Sequence, residues 1–116
     1  MYAIHKPFVE LTKEEFYSVY DVNFFGVIEL IREILPFFKS KSQIINISSI
    51  GGINGTSKFK GLSAYSSSKG ALNVLTEVLA EEFKETGPKI NSLCLGSVQT
   101  KMLEKAFPGY KAQVQT

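Results

Sequence analysis

Apolar residues at Phe16, Val19, Tyr20, Phe24, Val27, Ile28, Ile31, Leu35 and Phe38 recur at helical spacing, which gathers their side chains on one face. Ahead of them, Thr12-Lys13-Glu14-Glu15 reads as a capping box: the Thr12 hydroxyl can accept from the Glu15 amide, and the Glu15 carboxylate from the Thr12 amide. Leu11 and Phe16 occupy the staple positions. The pattern predicts a helix from Lys13 to about Phe38, with Pro36 bending or ending its last turn because proline has no N–H to give. After the polar turn Ser40-Lys41-Ser42, the run Gln43-Ile44-Ile45-Asn46-Ile47-Ser48 is short and mostly apolar, as expected for a strand covered on both faces. Ser49 to Gly61 holds four glycines with Asn54, Thr56 and two lysines, a loop composition.

A second helix is predicted from Ser63 to Lys84. Leu72, Leu75, Val78, Leu79 and Phe83 lie on one flank with Ala71, Val74 and Ala80 beside them, more apolar surface than a one-sided helix needs. Gly87-Pro88 stops it, and Lys89-Ile90-Asn91-Ser92-Leu93-Cys94-Leu95 reads as a second strand before Gly96; beyond Thr100 the pattern decays. A helix crossing between two apolar strands implies a parallel pair and an α/β class. Parallel pairs occur almost only within larger sheets, so the chain is expected to be part of a domain.

Composition narrows the function classes. The 116 residues suit one domain, and 44% apolar with 21% charged residues excludes a disordered or fibrous chain. A formal charge of +2, with 13 basic and 11 acidic residues interspersed, gives no footprint for nucleic acid or an anionic membrane. No apolar stretch approaches the roughly 18 residues of a membrane span, so a soluble protein is expected. Cys94 is the single cysteine, and the first residues lack a basic-then-apolar leader pattern; the expected compartment is the cytoplasm. With His5 the only histidine, no metal site is expected.

Tyr65 and Lys69 stand four apart near the start of the second helix, so both project from one face. An ammonium beside a phenol favours the phenolate and lowers its pKa, which would let Tyr65 exchange a proton with a substrate oxygen. The same pair is equally an ordinary helix surface, and Tyr2 and Lys6 share the spacing, although Pro7 keeps Lys6 out of helical geometry. Ser48 and Ser49 end the first strand, where open α/β sheets gather ligand-binding groups. Ser66-Ser67-Ser68 is a run of small side chains that admits a ligand or a close helix contact. Asn23 falls inside the apolar stripe of the first helix, where a buried amide needs a partner.

Val22-Asn23-Phe24-Phe25-Gly26, Ile45-Asn46-Ile47-Ser48-Ser49, Ala64-Tyr65-Ser66-Ser67-Ser68-Lys69-Gly70-Ala71-Leu72 and Leu95-Gly96-Ser97-Val98-Gln99-Thr100 together resemble successive blocks of the classical short-chain dehydrogenase/reductases. The resemblance implies part of a Rossmann-type doubly wound parallel sheet. It implies an NAD- or NADP-dependent oxidoreductase that exchanges hydride with a small carbonyl or alcohol. Within it, Tyr65 would be the general acid/base. Lys69 would lower its pKa and bind the nicotinamide ribose, Ser49 would hold the substrate oxygen, and Asn23 would anchor a water in a proton relay to Lys69. Ser49 is preferred to Ser48 because it precedes Ile50-Gly51-Gly52, as the family's serine precedes an apolar residue and glycines. Gly96, Val98 and Thr100 would border the nicotinamide end. The interval from Ser49 to Tyr65 is three residues longer than usual, implying a lengthened loop on the substrate side.

The family's glycine-rich pyrophosphate turn, ribose-selecting strand and Asn-Ala-Gly block would precede Met1, and its last strand and helix would follow Thr116. Residues 1–116 are therefore expected to form a partial dinucleotide-binding domain that binds cofactor weakly by itself. Homo-oligomerisation through the helices 13–38 and 63–84 is a further implication. The alternative is a catalytically inactive fragment or an interaction module that packs these helices on a partner chain.

Overall fold

The computed structural model describes residues 2–96, 98–99 and 114–115. The capping box forms as the sequence requires: Glu15 N donates to Thr12 Oγ1 and Thr12 N to Glu15 Oε1, both at 3.1 Å. Phe8 meets Phe16 edge to face just outside it. Helix α1 runs Lys13–Tyr20, a π-helical turn occupies Asp21–Phe25, and α2 continues as Gly26–Ile34. The expected helix therefore departs from regular α geometry at Asp21–Phe25, while its last turn changes at Pro36 as expected. It is widened by one π turn around Asn23 and ends in a 3-10 turn, Leu35–Phe37, where Pro36 withholds an amide.

Strand β1, Gln43–Ser49, pairs in parallel with β2, Lys89–Leu95, in a register that sets Ser49 opposite Leu95. Between them lies α3, Ser63–Glu82, which ends two residues short of the predicted Lys84. Two short strands, β3 Val98–Gln99 and β4 Val114–Gln115, form a second parallel pair.

In β1, Ile44, Asn46 and Ser48 are buried while Gln43, Ile45 and Ile47 are exposed, so one face is covered and not the two expected. The physical reason is that the core packs on one side: Ile31 of α2, Ile44 and Ile90 form its centre, with Val27, Leu35, Phe38, Leu79 and Phe83 around it.

The buried line of α3 also differs from its apolar flank. Ala64, Tyr65, Ser68, Lys69, Leu72 and Thr76 face inward, whereas Val74 and Val78 are exposed. Polar groups on this line find partners: Asn46 Nδ2 donates to Thr76 Oγ1 at 3.0 Å, and Thr76 Oγ1 to Leu72 O at 2.8 Å. These bonds tie the helix to the strand where a hydrocarbon contact would otherwise stand. Among the described residues no helix is long and apolar enough to cross a membrane.

Candidate active site

Strand β1 delivers two consecutive serines to its carboxyl end, and alternation sends them opposite ways. Ser48 is fully buried and points at α3, its hydroxyl 3.4 Å from Lys69 O. Ser49 is half-buried at the edge, where its Oγ accepts from Gly51 N at 3.0 Å and hydrogen-bonds with the Tyr65 side chain. The structure therefore separates the two: Ser48 anchors the helix, and Ser49 faces the phenol.

Tyr65 and Lys69 project together from the first turns of α3, with Lys69 Nζ 6.0 Å from the centre of the Tyr65 ring. Lys69 is 3% exposed, and its ammonium donates to Ile47 O of β1 at 3.1 Å. Ser49, Tyr65 and Lys69 thus share one edge, formed by the end of β1 and the start of α3. The decoy pair does not: Tyr2 and Lys6 lie outside any helix or strand, and Lys6 Nζ pairs with Glu15 at 2.8 Å.

The electrostatics differ from the expectation that the ammonium lowers the phenol's pKa. Burial is the larger influence and pushes the Tyr65 phenol up, while the hydrogen bond with Ser49 opposes it. Burial likewise pushes the Lys69 ammonium down. Both shifts favour the uncharged form, and the group that pulls Tyr65 towards phenolate is the serine hydroxyl.

Asn23, 2% exposed on the π turn, is tied by three hydrogen bonds. Its Oδ1 accepts from Tyr2 N at 2.9 Å, and its Nδ2 donates to Tyr2 O at 2.7 Å and to Ser68 Oγ at 3.1 Å. Ser68 Oγ in turn donates to Tyr65 O at 2.7 Å. The amide therefore connects to α3 one residue before Lys69, and both of its side-chain polar atoms are engaged by Tyr2 and Ser68. The sequence marks Ser68 only as a member of the Ser66-Ser67-Ser68 triplet and does not mark the Ile47 carbonyl. The small-residue triplet carried a signal for Ser68, but a backbone carbonyl carries none.

Gly96 follows β2 and is exposed; a Cβ there would lie 3.8 Å from Ile50 Cδ1, which places it beside the turn after Ser49. Val98 is described only as a β3 position, and Thr100 lies outside the described residues. Among the described residues no group of three His, Cys, Asp or Glu gathers to hold a metal.

A parallel strand pair, its crossover helix and this Ser-Tyr-Lys edge define an α/β class of fold. A family model of short chain dehydrogenases matches residues 2–111, and the chain belongs to that family. Diacetyl reductase [(S)-acetoin forming] of Staphylococcus aureus is 38% identical over 101 residues, covering 84% of this chain and 38% of that protein. L-2,3-butanediol dehydrogenase of Corynebacterium glutamicum is 38% identical over 103 residues, covering 86% and 39%. A solved mutant of 4-hydroxyisoleucine dehydrogenase, complexed with NADH and succinate, superposes with a TM-score of 0.82 at 31% identity, covering 93% of this chain and 44% of that one. The fold is therefore a portion of the Rossmann-type sheet, and the chain spans well under half the length of the curated relatives it matches.

Proposed function

We propose that this chain carries the proton-transfer side of a nicotinamide-dependent oxidoreductase site acting on a small carbonyl or alcohol. The observation that carries the reading is the meeting of Ser49 and Tyr65 beside a buried Lys69 at the carboxyl edge of β1. Small-molecule substrates fit the relatives, which are named for diacetyl, butanediol and 4-hydroxyisoleucine.

The donor set suits the nicotinamide ribose. Among the described residues Lys69 Nζ donates to one acceptor, Ile47 O, of the three an ammonium can serve. Lys69 would hold the ribose hydroxyls, and Gly96, Val98 and Thr100 would border the ring. Gly51-Gly52-Ile53-Asn54-Gly55 does not suit a pyrophosphate, because it passes through a 3-10 turn, Ile50–Gly52, and opens no helix at its end. NAD and NADP are both compatible with these residues. The nicotinamide, when bound, supplies or accepts the hydride.

The chain's own residues handle the oxygen and its proton. Ser49 Oγ donates to the substrate oxygen and orients it towards the Tyr65 hydroxyl. In reduction Tyr65 gives its proton to that oxygen as charge develops; in oxidation it takes the proton back. Burial keeps the phenol protonated at neutral pH, which suits the acid role, and the hydrogen bond with Ser49 opposes that shift and favours the phenolate. Asn23 braces the start of α3 through Ser68, and a water on the π turn would connect Lys69 to solvent. The lone cysteine is in keeping with a reducing cytoplasm.

The test is reduction of diacetyl and related small ketones by NADH or NADPH, read as loss of reduced-nicotinamide absorbance. Turnover lost in Tyr65→Phe supports the reading. Turnover retained in that variant sinks it.

A second reading concerns assembly. Val74 and Val78 are 62% and 50% exposed on α3, and Val22, Phe25 and Leu30 are exposed on the preceding helical stretch. We propose that these faces pair two copies of the chain. The competing occupant is a different partner chain, as in an interaction module; mass measurement in solution separates them.

A further inference from the structure

We propose that Gly52 is a positioning residue, which sets the Ser49 hydroxyl against Tyr65 through a bare-backbone crossing with Gly70. The proposal rests on the reading of Ser49 and Tyr65 as the proton-transfer pair and deepens it.

The Ile50–Gly52 turn after β1 lies directly on α3. A Cβ built on Gly52 would stand 2.5 Å from Gly70 N, 2.6 Å from Lys69 C and 2.9 Å from Lys69 Cβ. Two of these neighbours are helix backbone, which cannot step aside, so the turn itself would have to rise. From the other side, a Cβ on Gly70 would lie 3.2 Å from Gly52 O. The requirement for glycine here is one of space. It contrasts with Gly55 in the same loop, which has φ +85° but open space around its Cβ position.

The crossing bears on the serine because Ser49 is tied to this turn. Its Oγ accepts from Gly51 N at 3.0 Å, and a Cβ on Gly51 would lie 3.3 Å from both Ser49 Oγ and Ser66 Oγ. Ser66 follows Tyr65 on the helix, so the turn touches α3 at residues 66, 69 and 70, within and just after the Tyr65–Lys69 step. Lifting the turn by one methyl group carries Ser49 away from the phenol while leaving Tyr65 in its helix.

The experiment is a phenolate-absorbance titration of the protein and of Gly52→Ala, each against the matching Tyr65→Phe protein, so that the difference isolates Tyr65. The expected result is an upward shift of the Tyr65 titration in Gly52→Ala, equal in direction to that of Ser49→Ala, with no further shift when both changes are combined. A merely structural role would loosen the site, admit water and move the titration down. A downward shift, no shift, or an undiminished shift in the Ser49→Ala background overturns the proposal. If Gly52→Ala does not fold, Gly70→Ala decides alone, since alanine favours the helix itself; it should shift Tyr65 upwards, and an unchanged titration overturns the proposal. The titration reads geometry and not turnover, so retained activity in Tyr65→Phe would remove the catalytic role without touching this result.

Discussion

Asn23 holds Tyr2 by both of its backbone polar groups, accepting from Tyr2 N at 2.9 Å and donating to Tyr2 O at 2.7 Å. The side-chain amide thereby acts as a one-residue strand partner, docking the chain that precedes α1 against the π turn. The same Nδ2 reaches Ser68, so three segments distant in sequence meet at one amide.

Asn23→Ala removes these bonds and leaves buried polar groups unpaired, an expected cost of about 2 to 4 kcal/mol. Urea unfolding followed by circular dichroism measures it. A change within error of zero would show that the amide braces nothing.

Stability should vary with pH through Lys69 and Tyr65 in opposite senses. Burial holds the folded Lys69 below its unfolded value, so between the two values the unfolded chain binds more protons and stability rises with pH. Below the folded value the penalty is constant. Burial holds the folded Tyr65 above its unfolded value, so beyond about 10 the unfolded chain loses the phenol proton first and stability falls. Lys69→Met should abolish the rise and keep the fall. Urea midpoints across a pH series check both limbs.

Tyr65→Phe should reduce carbonyl turnover by a factor of roughly 10² to 10⁴, the span expected for losing a general acid, with the melting temperature little changed. Ser49→Ala should also lower turnover, and it should move the alkaline limb of the reduction profile upwards, because the hydrogen bond that opposes the burial shift is gone. Initial rates over a pH series read both.

Gly87→Ala should destabilise strongly and Gly55→Ala mildly, although both glycines have positive φ, +75° and +85°. At Gly87 a Cβ would collide with the Ser40 backbone, whereas at Gly55 it meets open space. The Gly55 cost is about 1 kcal/mol of left-handed strain, and the Gly87 cost adds a displaced chain crossing. Thermal melts of the two variants separate space from conformation.

Val74→Asp should convert a paired species to a monomer with its circular dichroism unchanged, because the side chain is largely exposed on α3. Light scattering after size exclusion measures the mass. A protein that is already monomeric before substitution removes the pairing proposal.

The elements were legible because their signals are local. The Thr12–Glu15 box, the period of apolar residues from Phe16 and the short run 43–48 each depend on neighbours within a few positions, and the capped α1, the 3-10 turn at Pro36 and strand β1 follow them closely. The π turn was not legible, since no residue in Asp21–Phe25 forbids an ordinary helix; the contacts of Asn23 with Tyr2 and Ser68 hold it there. The buried line of α3 departs from its apolar flank for a related reason. Periodicity marks apolar flanks, but Ser68, Lys69 and Thr76 are buried because Asn23, Ile47 and Asn46 supply their partners.

The sequence by itself determined the helix–strand–helix–strand order and the placing of Tyr65 and Lys69 one turn apart on one helix, because capping and periodicity reside in the covalent chain. The resemblance already preferred Ser49 to Ser48; only the tertiary structure decided that Ser48 is buried against α3, and that burial outweighs the neighbouring ammonium. Those outcomes depend on distances across a strand end and a helix start, where two bare glycine backbones cross, and on water excluded by packing from residues far apart along the chain.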